Sequence, residues 1–202
     1  MKFLSLGLSA VAAAAIVSVV FAQVATVAGA PLPQGWLKAG SKPQDYEMKV
    51  VADPNTSGQQ AIQVKSLPAK NGNGFGTFMQ QFAANEYRGK SVRFSAKVRS
   101  NSVNDWAGLW MRVDDASGKV IAFDNMESRA IRGSTDWRAY EVVLPVADDA
   151  KLISFGILLA GAGEVNMAEV SVELAPNGSA STQPVQVASP ILSKPTNLDF
   201  KQ

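Results

Sequence analysis

The strongest constraint on the fold is an alternation of apolar and polar residues with a period of two. Between residues 92 and 99 the apolar side chains all fall on one face and the polar ones on the other. The apolar set is Val92, Phe94, Ala96 and Val98, and the polar set is Arg93, Ser95, Lys97 and Arg99. The alternation recurs in 153–159 and 170–174. This period is typical of half-buried antiparallel strands.

Nine strand-like segments follow one another between Asp45 and Leu174, and none has a helical period. They are DYEMKVV, AIQVKSL, GFGTFMQQFAA, SVRFSAKVRS, WAGLWMRVD, KVIAFD, WRAYEVVLPV, LISFGILLA and EVNMAEVSVEL. The breaks between them are rich in Gly, Pro, Asn and Asp, the residues that turns prefer. The sequence therefore predicts an all-β fold, an antiparallel jelly-roll β-sandwich of about nine strands.

The N-terminus has the pattern of a signal peptide. Lys2 precedes a long apolar run, and Val20 and Ala22 supply small residues at positions −3 and −1 of a cleavage site after Ala22. Cleavage after Ala30 is disfavoured because Pro31 follows it. The alternative is an uncleaved anchor, since the run approaches the roughly 20 residues that span a bilayer. We therefore expect an exported protein, periplasmic or secreted, that is not held at a membrane after cleavage.

These features divide the chain into four parts. Residues 1–22 are the predicted signal helix, 23–42 a Gly/Pro/Ala-rich arm, 43–174 the sandwich and 175–202 a tail. The tail is rich in Ser, Pro, Thr, Asn and Gln, a composition typical of flexible segments. Alternatively, its stretch PILSKPTNLDF docks on the sandwich as an irregular segment.

Composition excludes several kinds of chemistry. The chain has no Cys and no His, so it has no disulfide, no thiolate nucleophile and no Ser-His-Asp triad. The 19 basic and 17 acidic residues are nearly balanced and scattered, which does not indicate a nucleic-acid partner. We predict that the protein is not an enzyme.

The segment AGLWMRVDD supplies the first candidate site residues. If Ala107 and its alternate neighbours face the core, then Trp110 and Arg112 face the other way. An aromatic ring beside a guanidinium group suits a planar or sugar-like ligand. The alternative is that Trp110 is buried under a loop and Arg112 pairs with Asp124 or Glu127.

The polar connection FDNMESRAIRGSTDW supplies the other candidates. It carries Asp124, Asn125 and Arg129 just after a strand, where sandwich proteins often place binding groups. Together with Trp110 and Arg112 they form the predicted ligand-binding set. Alternatively, the Asp and Asn side chains only cap turns.

Two further motifs carry weaker indications. NGNGFGTFMQQF is glycine-rich but lacks the Gly-Lys-Ser/Thr ending of a phosphate loop and leads into a strand. The acidic pairs at 114–115 and 148–149 could join a calcium site or a glycosidase carboxylate pair, or they are solvated turn acids. We predict no cofactor and no metal site, with structural calcium as the alternative.

Several local motifs together resemble a known bacterial domain. They are Gly-Phe-Gly-Thr, Tyr-Arg-Gly-Lys, Trp-Ala-Gly-Leu-Trp-Met-Arg-Val-Asp, Phe-Asp-Asn-Met and Thr-Asp-Trp, within residues 35–174. The sequence resembles an uncharacterised jelly-roll domain that is found alone or attached to AraC-type transcriptional regulators. More distantly, it is similar to carbohydrate-binding modules and galactose-binding-like domains. The last strand of that family reads Gly-x-Val-Trp-Val-Asp-Asp-Val, whereas this chain has Asn166, Ala168 and Glu169 in place of the Trp and the two Asp.

The resemblance implies a carbohydrate or cell-envelope ligand. The leading hypothesis is an exported, non-catalytic sandwich that binds a carbohydrate or other small polar ligand. The alternatives are a protein-interaction or envelope-structural module and, third, a hydrolase that uses carboxylates. No helix-turn-helix pattern is present in the sequence, so the regulator function is not carried over.

Overall fold

The computed structural model describes residues 32–52, 60–68 and 74–184. The predicted signal peptide, residues 23–31 of the predicted arm and the tail from residue 185 lie outside these residues. The described part contains nine strands: β1 Trp36–Gly40, β2 Tyr46–Ala52, β3 Gln60–Ser66, β4 Phe75–Ala83, β5 Lys90–Asp115, β6 Val120–Asp124, β7 Ile131–Val146, β8 Ala150–Ala160 and β9 Glu164–Leu174. Single-turn 3-10 helices lie at Pro43–Asp45, Asn85–Tyr87 and Glu127–Arg129. Every strand pairing is antiparallel, so the predicted all-β antiparallel fold is confirmed.

The 26-residue strand β5 belongs to both layers of the sandwich. Its first part, up to Asn101, pairs with β9, and its second part, from Trp106, pairs with β8 and then β6. β7 pairs with the first part and follows β5 as far as Ala107. The strands therefore form a front sheet in the order β1-β4-β8-β5-β6 and a back sheet in the order β2-β3-β9-β5-β7.

The hydrophobic core lies between the two sheets and follows the predicted alternation. The predicted core face of the first segment is buried, as are the alternate residues of the second half of β5: Val92, Phe94, Ala96, Val98, Ala107, Leu109, Met111 and Val113. Phe155 of β8 joins an aromatic group within this core. Its ring centroid lies 4.9 Å from that of Phe94, 5.7 Å from Trp36 and 5.8 Å from Phe82.

The strand boundaries differ from the prediction at three places. Two predicted strands are one continuous β5, because its NSVND segment, predicted as a turn, crosses from one sheet to the other with shifts in register. RGSTD lies within β7 rather than in a loop, and Ser134 Oγ there accepts a hydrogen bond from Ser102 N at 2.9 Å. β1 lies in the predicted arm. It is only five residues long, shows no alternation, and is held by pairing with β4.

The chain beyond β9 first bonds to the start of β5 and then reaches the free edge of β7 at residues 181–182. Ala175 N donates to Ser91 O at 2.9 Å, and Thr182 N donates to Val143 O at 2.9 Å. Val143 N in turn donates to Thr182 Oγ1 at 2.8 Å. The two bonds with Val143 occupy backbone groups of the edge strand β7 that would otherwise be open to pairing with another chain.

Two further features concern the described residues alone. No helix among them is long and apolar enough to cross a membrane. Within the same ranges no group of three or more acidic side chains is placed to hold a metal ion.

Candidate functional site

Trp110 lies on the outer face of the front sheet, as the alternation predicts, but its side chain is largely enclosed. The residue is 9% exposed and packs with Met79, Leu158 and Ala160 in a small apolar cluster. Its indole Nε1 donates a 2.7 Å hydrogen bond to Thr77 Oγ1. The polar group of Trp110 is therefore already used within the protein.

We expect Thr77→Val to lower the free energy of unfolding by about 1–3 kcal/mol, because the buried indole N–H of Trp110 would lose its acceptor. Thr77 also donates to Ile157 O at 2.8 Å, so the substitution leaves that carbonyl short of a donor as well. Chemical denaturation followed by fluorescence measures the change. Thr77→Ser, which keeps the hydroxyl, should recover most of the loss. If the valine variant is as stable as the parent protein, the Trp110–Thr77 bond contributes nothing.

Arg112 lies two residues beyond Trp110 on the same face and pairs with Asp114, not with Asp124 or Glu127. Its Nε and Nη2 each lie 3.0 Å from Asp114 Oδ2. The other oxygen, Asp114 Oδ1, is buried and has no hydrogen-bond partner among the described residues. Burial raises the pKa of Asp114, while the charge and hydrogen bond of Arg112 act in the opposite direction.

Asp124 and Arg129 form a bidentate ion pair at the end of β6. Arg129 Nη1 and Nη2 lie 3.1 Å and 2.7 Å from the two carboxylate oxygens of Asp124, whose side chain is fully buried. Asp124 also accepts the Met126 amide at 2.8 Å, and Arg129 donates to Glu141 O on β7 at 3.1 Å. The pair therefore fixes the connection between β6 and β7.

The predicted ligand-binding set is divided between two faces. In the register of β5 and β6, Phe123 is opposite Arg112, whereas Asp124 is opposite the core residue Met111. Asp124 is thus directed away from the face that carries Trp110 and Arg112. Asn125 Oδ1 accepts the Glu127 amide at 3.1 Å, which is the turn-capping alternative. A ligand-binding role for these five residues stays a prediction.

A different row of side chains crosses the outer face of the back sheet. Arg99 of β5 is the register partner of Asn166 of β9, which is in turn the partner of Gln63 of β3. Trp137 of β7 lies beside Arg99 on the other side, and the guanidinium carbon is 5.5 Å from the centroid of its ring. An aromatic ring, a guanidinium group and two amides are thus aligned across four adjacent strands.

Hydrogen bonds order the β3–β9 end of this row. Gln63 Nε2 and Asn166 Nδ2 both donate to Glu164 Oε1 at 3.0 Å, and Lys65 Nζ lies 3.3 Å from Glu164 Oε2. Burial alone would raise the pKa of Glu164, but Asn166, Lys65 and Gln63 together hold that pKa below its usual value. Glu164 is therefore ionised at neutral pH, and the ammonium group of Lys65 offsets its negative charge.

The β7 end of the row has unused hydrogen-bonding capacity. The indole N–H of Trp137 is buried and has no acceptor within the described ranges. Arg99, which contacts the ring of Trp137, lines a surface pocket of about 360 Å³. All of its lining side chains are polar, namely Arg99, Ser100, Asn101, Ser134, Thr135, Asp136 and Glu164. Binding sites for small ligands commonly start at about this volume.

A larger hollow elsewhere is a weaker candidate. It measures about 620 Å³ and lies between the strand ends and residues 175–179. Its walls are mostly Gly, Ala, Pro and aliphatic residues, with Lys90 and Asn177 as the largest polar side chains. Polar groups that could orient a ligand do not converge there, so the back-sheet row is the better site.

The sequence carried a signal for both faces, the alternation itself, which put Arg99 on the outer face of its strand without marking it as a site residue. Alternation from Trp110 through Arg112 puts Asp114 on the same face, although the Asp pair suggested a turn. Alternation from Val98 likewise puts Arg99 outside, and the departure of Asn166 from the family pattern marks the neighbouring strand. Trp137 could be placed beside Arg99 only once the pairing of β5 with β7 was known.

Comparison with known proteins gives one sequence relative, while no protein-family model matches the chain. The chain is 37% identical over 169 residues to "Uncharacterized HTH-type transcriptional regulator YbfP" of Bacillus subtilis (strain 168). The match covers 84% of this chain and 57% of that protein. The chain therefore spans a little over half the length of this curated relative.

This relative corrects the predicted location. The sequence suggested an exported protein, periplasmic or secreted, but the relative is named as a transcriptional regulator, which contradicts export. The apolar N-terminal run that led to the prediction is outside the residues that the structure describes.

Solved structures share the fold at low sequence identity. The enzymatically active domain of bacteriophage CBA120 tailspike protein 4 matches with a TM-score of 0.54 and 12% identity, over 70% of this chain and 20% of that one. The CBM22-1 xylan-binding domain of Paenibacillus barcinonensis Xyn10C matches with a TM-score of 0.50 and 14% identity, over 71% and 87% respectively. The predicted likeness to carbohydrate-binding β-sandwiches is thus confirmed for the fold.

Proposed function

We propose that the protein is a non-catalytic module that binds a carbohydrate or another small polar ligand on the outer face of its back sheet. The observation that carries the proposal is the row formed by Trp137, Arg99, Asn166 and Gln63 across four neighbouring strands. Strands hold such side chains at fixed spacings, so the face is organised before a ligand arrives.

The chemistry of the row fits a polyhydroxylated ligand. Amide oxygens supply acceptors, the guanidinium group supplies directed donors, and the indole N–H is a donor that lacks a partner in the described structure. Asn166 is only 2% exposed, so its amide lies at the floor of the face rather than projecting into solvent. The fold of the xylan-binding domain adds support by analogy, although fold alone does not fix function. The lack of His and Cys supports a binding role without catalysis.

The test is a fluorescence titration of the protein with a panel of neutral and acidic oligosaccharides, repeated by calorimetry. We expect a saturable change in emission, since Trp137 is one of four tryptophans and the one in the row. Trp137→Phe keeps an aromatic ring but removes the N–H, and should weaken binding by about tenfold if the indole donates to the ligand.

Ser171→Ala is the matched control. Ser171 is on the same strand as Asn166 and is paired with Ser95, away from the row. The Ser171→Ala variant should bind the oligosaccharides with the affinity of the parent protein. Loss of binding in Ser171→Ala but not in Trp137→Phe would place the ligand elsewhere, and a folded protein that binds no member of the panel would overturn the proposal.

A further inference from the structure

The basic residues of β5 on the back face differ in whether an acid neutralises them. Arg93 is paired with Glu173 and lies 3.8 Å from Glu141, and Lys97 Nζ lies 2.8 Å from Glu169. Arg99 is on the same strand and face, yet no carboxylate of the described residues lies within ion-pair distance of it. Within the described part of the chain, its guanidinium group instead lies over the ring of Trp137.

The position of Arg99 suits the capture of an anion. Contact with the aromatic ring holds the guanidinium group without using its N–H donors. Those donors remain available in a pocket where Asn101 and Ser134 offer further polar groups. Glu164 lines the same pocket, but Lys65 Nζ at 3.3 Å offsets its charge, and two amide groups donate hydrogen bonds to it.

From this geometry we infer that the ligand of the proposed site is an acidic saccharide, with a uronate carboxylate that pairs with Arg99. The inference rests on the proposed function and specifies its ligand class. A guanidinium group matches a carboxylate through two parallel hydrogen bonds, which a neutral hydroxyl cannot form. The sugar hydroxyls would meet the other polar side chains of the pocket, such as Ser134 and Thr135.

Asp136 acts against such a ligand. Its carboxylate lines the pocket, is exposed, and has no ion-pair partner within the described part of the chain. Repulsion across the pocket should reduce affinity for an anion, although water and salt screen an exposed charge. Removing this charge should therefore tighten the binding of an acidic sugar and leave a neutral sugar unaffected.

The test compares oligomers of galacturonate, glucuronate and mannuronate, each beside its fully methyl-esterified form, by calorimetry with the full chain. Esterification removes the charge and keeps the ring and hydroxyls. We expect at least one free acid to bind about tenfold or more tightly than its ester. Its affinity should fall as NaCl rises from 50 to 300 mM, roughly the range over which screening of exposed charges becomes strong.

Substitutions assign the preference to Arg99. Arg99→Gln should remove the preference for the acid, and Arg99→Lys should keep only part of it, since lysine lacks the fork of donors. Lys97→Gln, at a paired cation on the same strand, is the matched control and should leave the preference unchanged. Asp136→Asn should raise the affinity for the acidic sugar by about two- to threefold. This variant tests the inference even if substitution of Arg99 disturbs folding.

The outcomes separate the inference from the proposed function. If acids and esters bind equally well and Trp137→Phe abolishes both, the inference of an acidic ligand is wrong. The proposed function then stands as a site for a neutral saccharide. A preference for acids that survives Arg99→Gln would also overturn the inference. If neither acids, esters nor other sugars bind the folded protein, the proposed function fails together with the inference.

Discussion

Phe155→Ala is expected to lower the free energy of unfolding by about 3–5 kcal/mol, the range for truncating a large aromatic residue in a packed core. Phe155 is 3% exposed and contacts three other rings, from β1, β4 and β5. Its removal therefore leaves a cavity that spans both sheets, which rigid strands can close only in part. Urea denaturation followed by circular dichroism measures the change.

The control for Phe155 is Phe123→Ala in β6. Phe123 is 40% exposed on the outer face of the front sheet. Its truncation should cost less than about 1 kcal/mol, as is usual for surface positions. Similar losses for the two variants would mean that the aromatic group around Phe155 is not a principal part of the core.

Arg129→Ala is expected to cost about 2–3 kcal/mol of stability. The substitution leaves the carboxylate of Asp124 buried with the Met126 amide as its remaining donor in the described structure. Loss of one partner from a buried ion pair typically costs somewhat more, about 3–5 kcal/mol. We expect the smaller loss of about 2–3 kcal/mol because the side chain of Arg129 is 35% exposed, so solvent partly screens its charge.

Arg132→Ala provides the comparison in the same region. Arg132 Nη1 lies 4.0 Å from Asp105 Oδ1, and both side chains are more than half exposed. Its loss should cost less than about 1 kcal/mol. Thermal denaturation of both variants tests the difference. If Arg129→Ala is as mild as Arg132→Ala, the ion pair does not hold the β6–β7 connection.

Much of the fold could be predicted because burial of one face leaves a periodic record in the sequence. Val92 to Val98 and Ala107 to Val113 are buried at alternate positions, as expected. The boundaries were harder to predict, because polar residues suggest turns whether or not a strand continues through them. Asn101 and Ser102 are in β5, and Gly133 and Ser134 are in β7. Ser102 and Gly133 adopt positive φ where the register shifts, yet cross-strand bonds such as Ser102 N to Ser134 Oγ keep the two strands paired.

The site was less predictable, because it depends on which strands are neighbours. Trp110 and Arg112 were correctly placed on the outer side of the sheet, but their partners Thr77 and Asp114 use much of their polar capacity. The row of Arg99, Asn166 and Gln63 draws on strands far apart in sequence. Its members have no common motif, and only the pairing order brings them together.

The shared strand β5 has a consequence for how the protein unfolds. Its backbone supplies hydrogen bonds to four other strands, two in each layer. Neither layer can open fully while β5 stays paired in the other, so the two layers form one cooperative unit. Slow amide exchange should accordingly extend along β5 without a break between its halves. A ligand that tightens the back layer then also raises the protection of amides in the front layer.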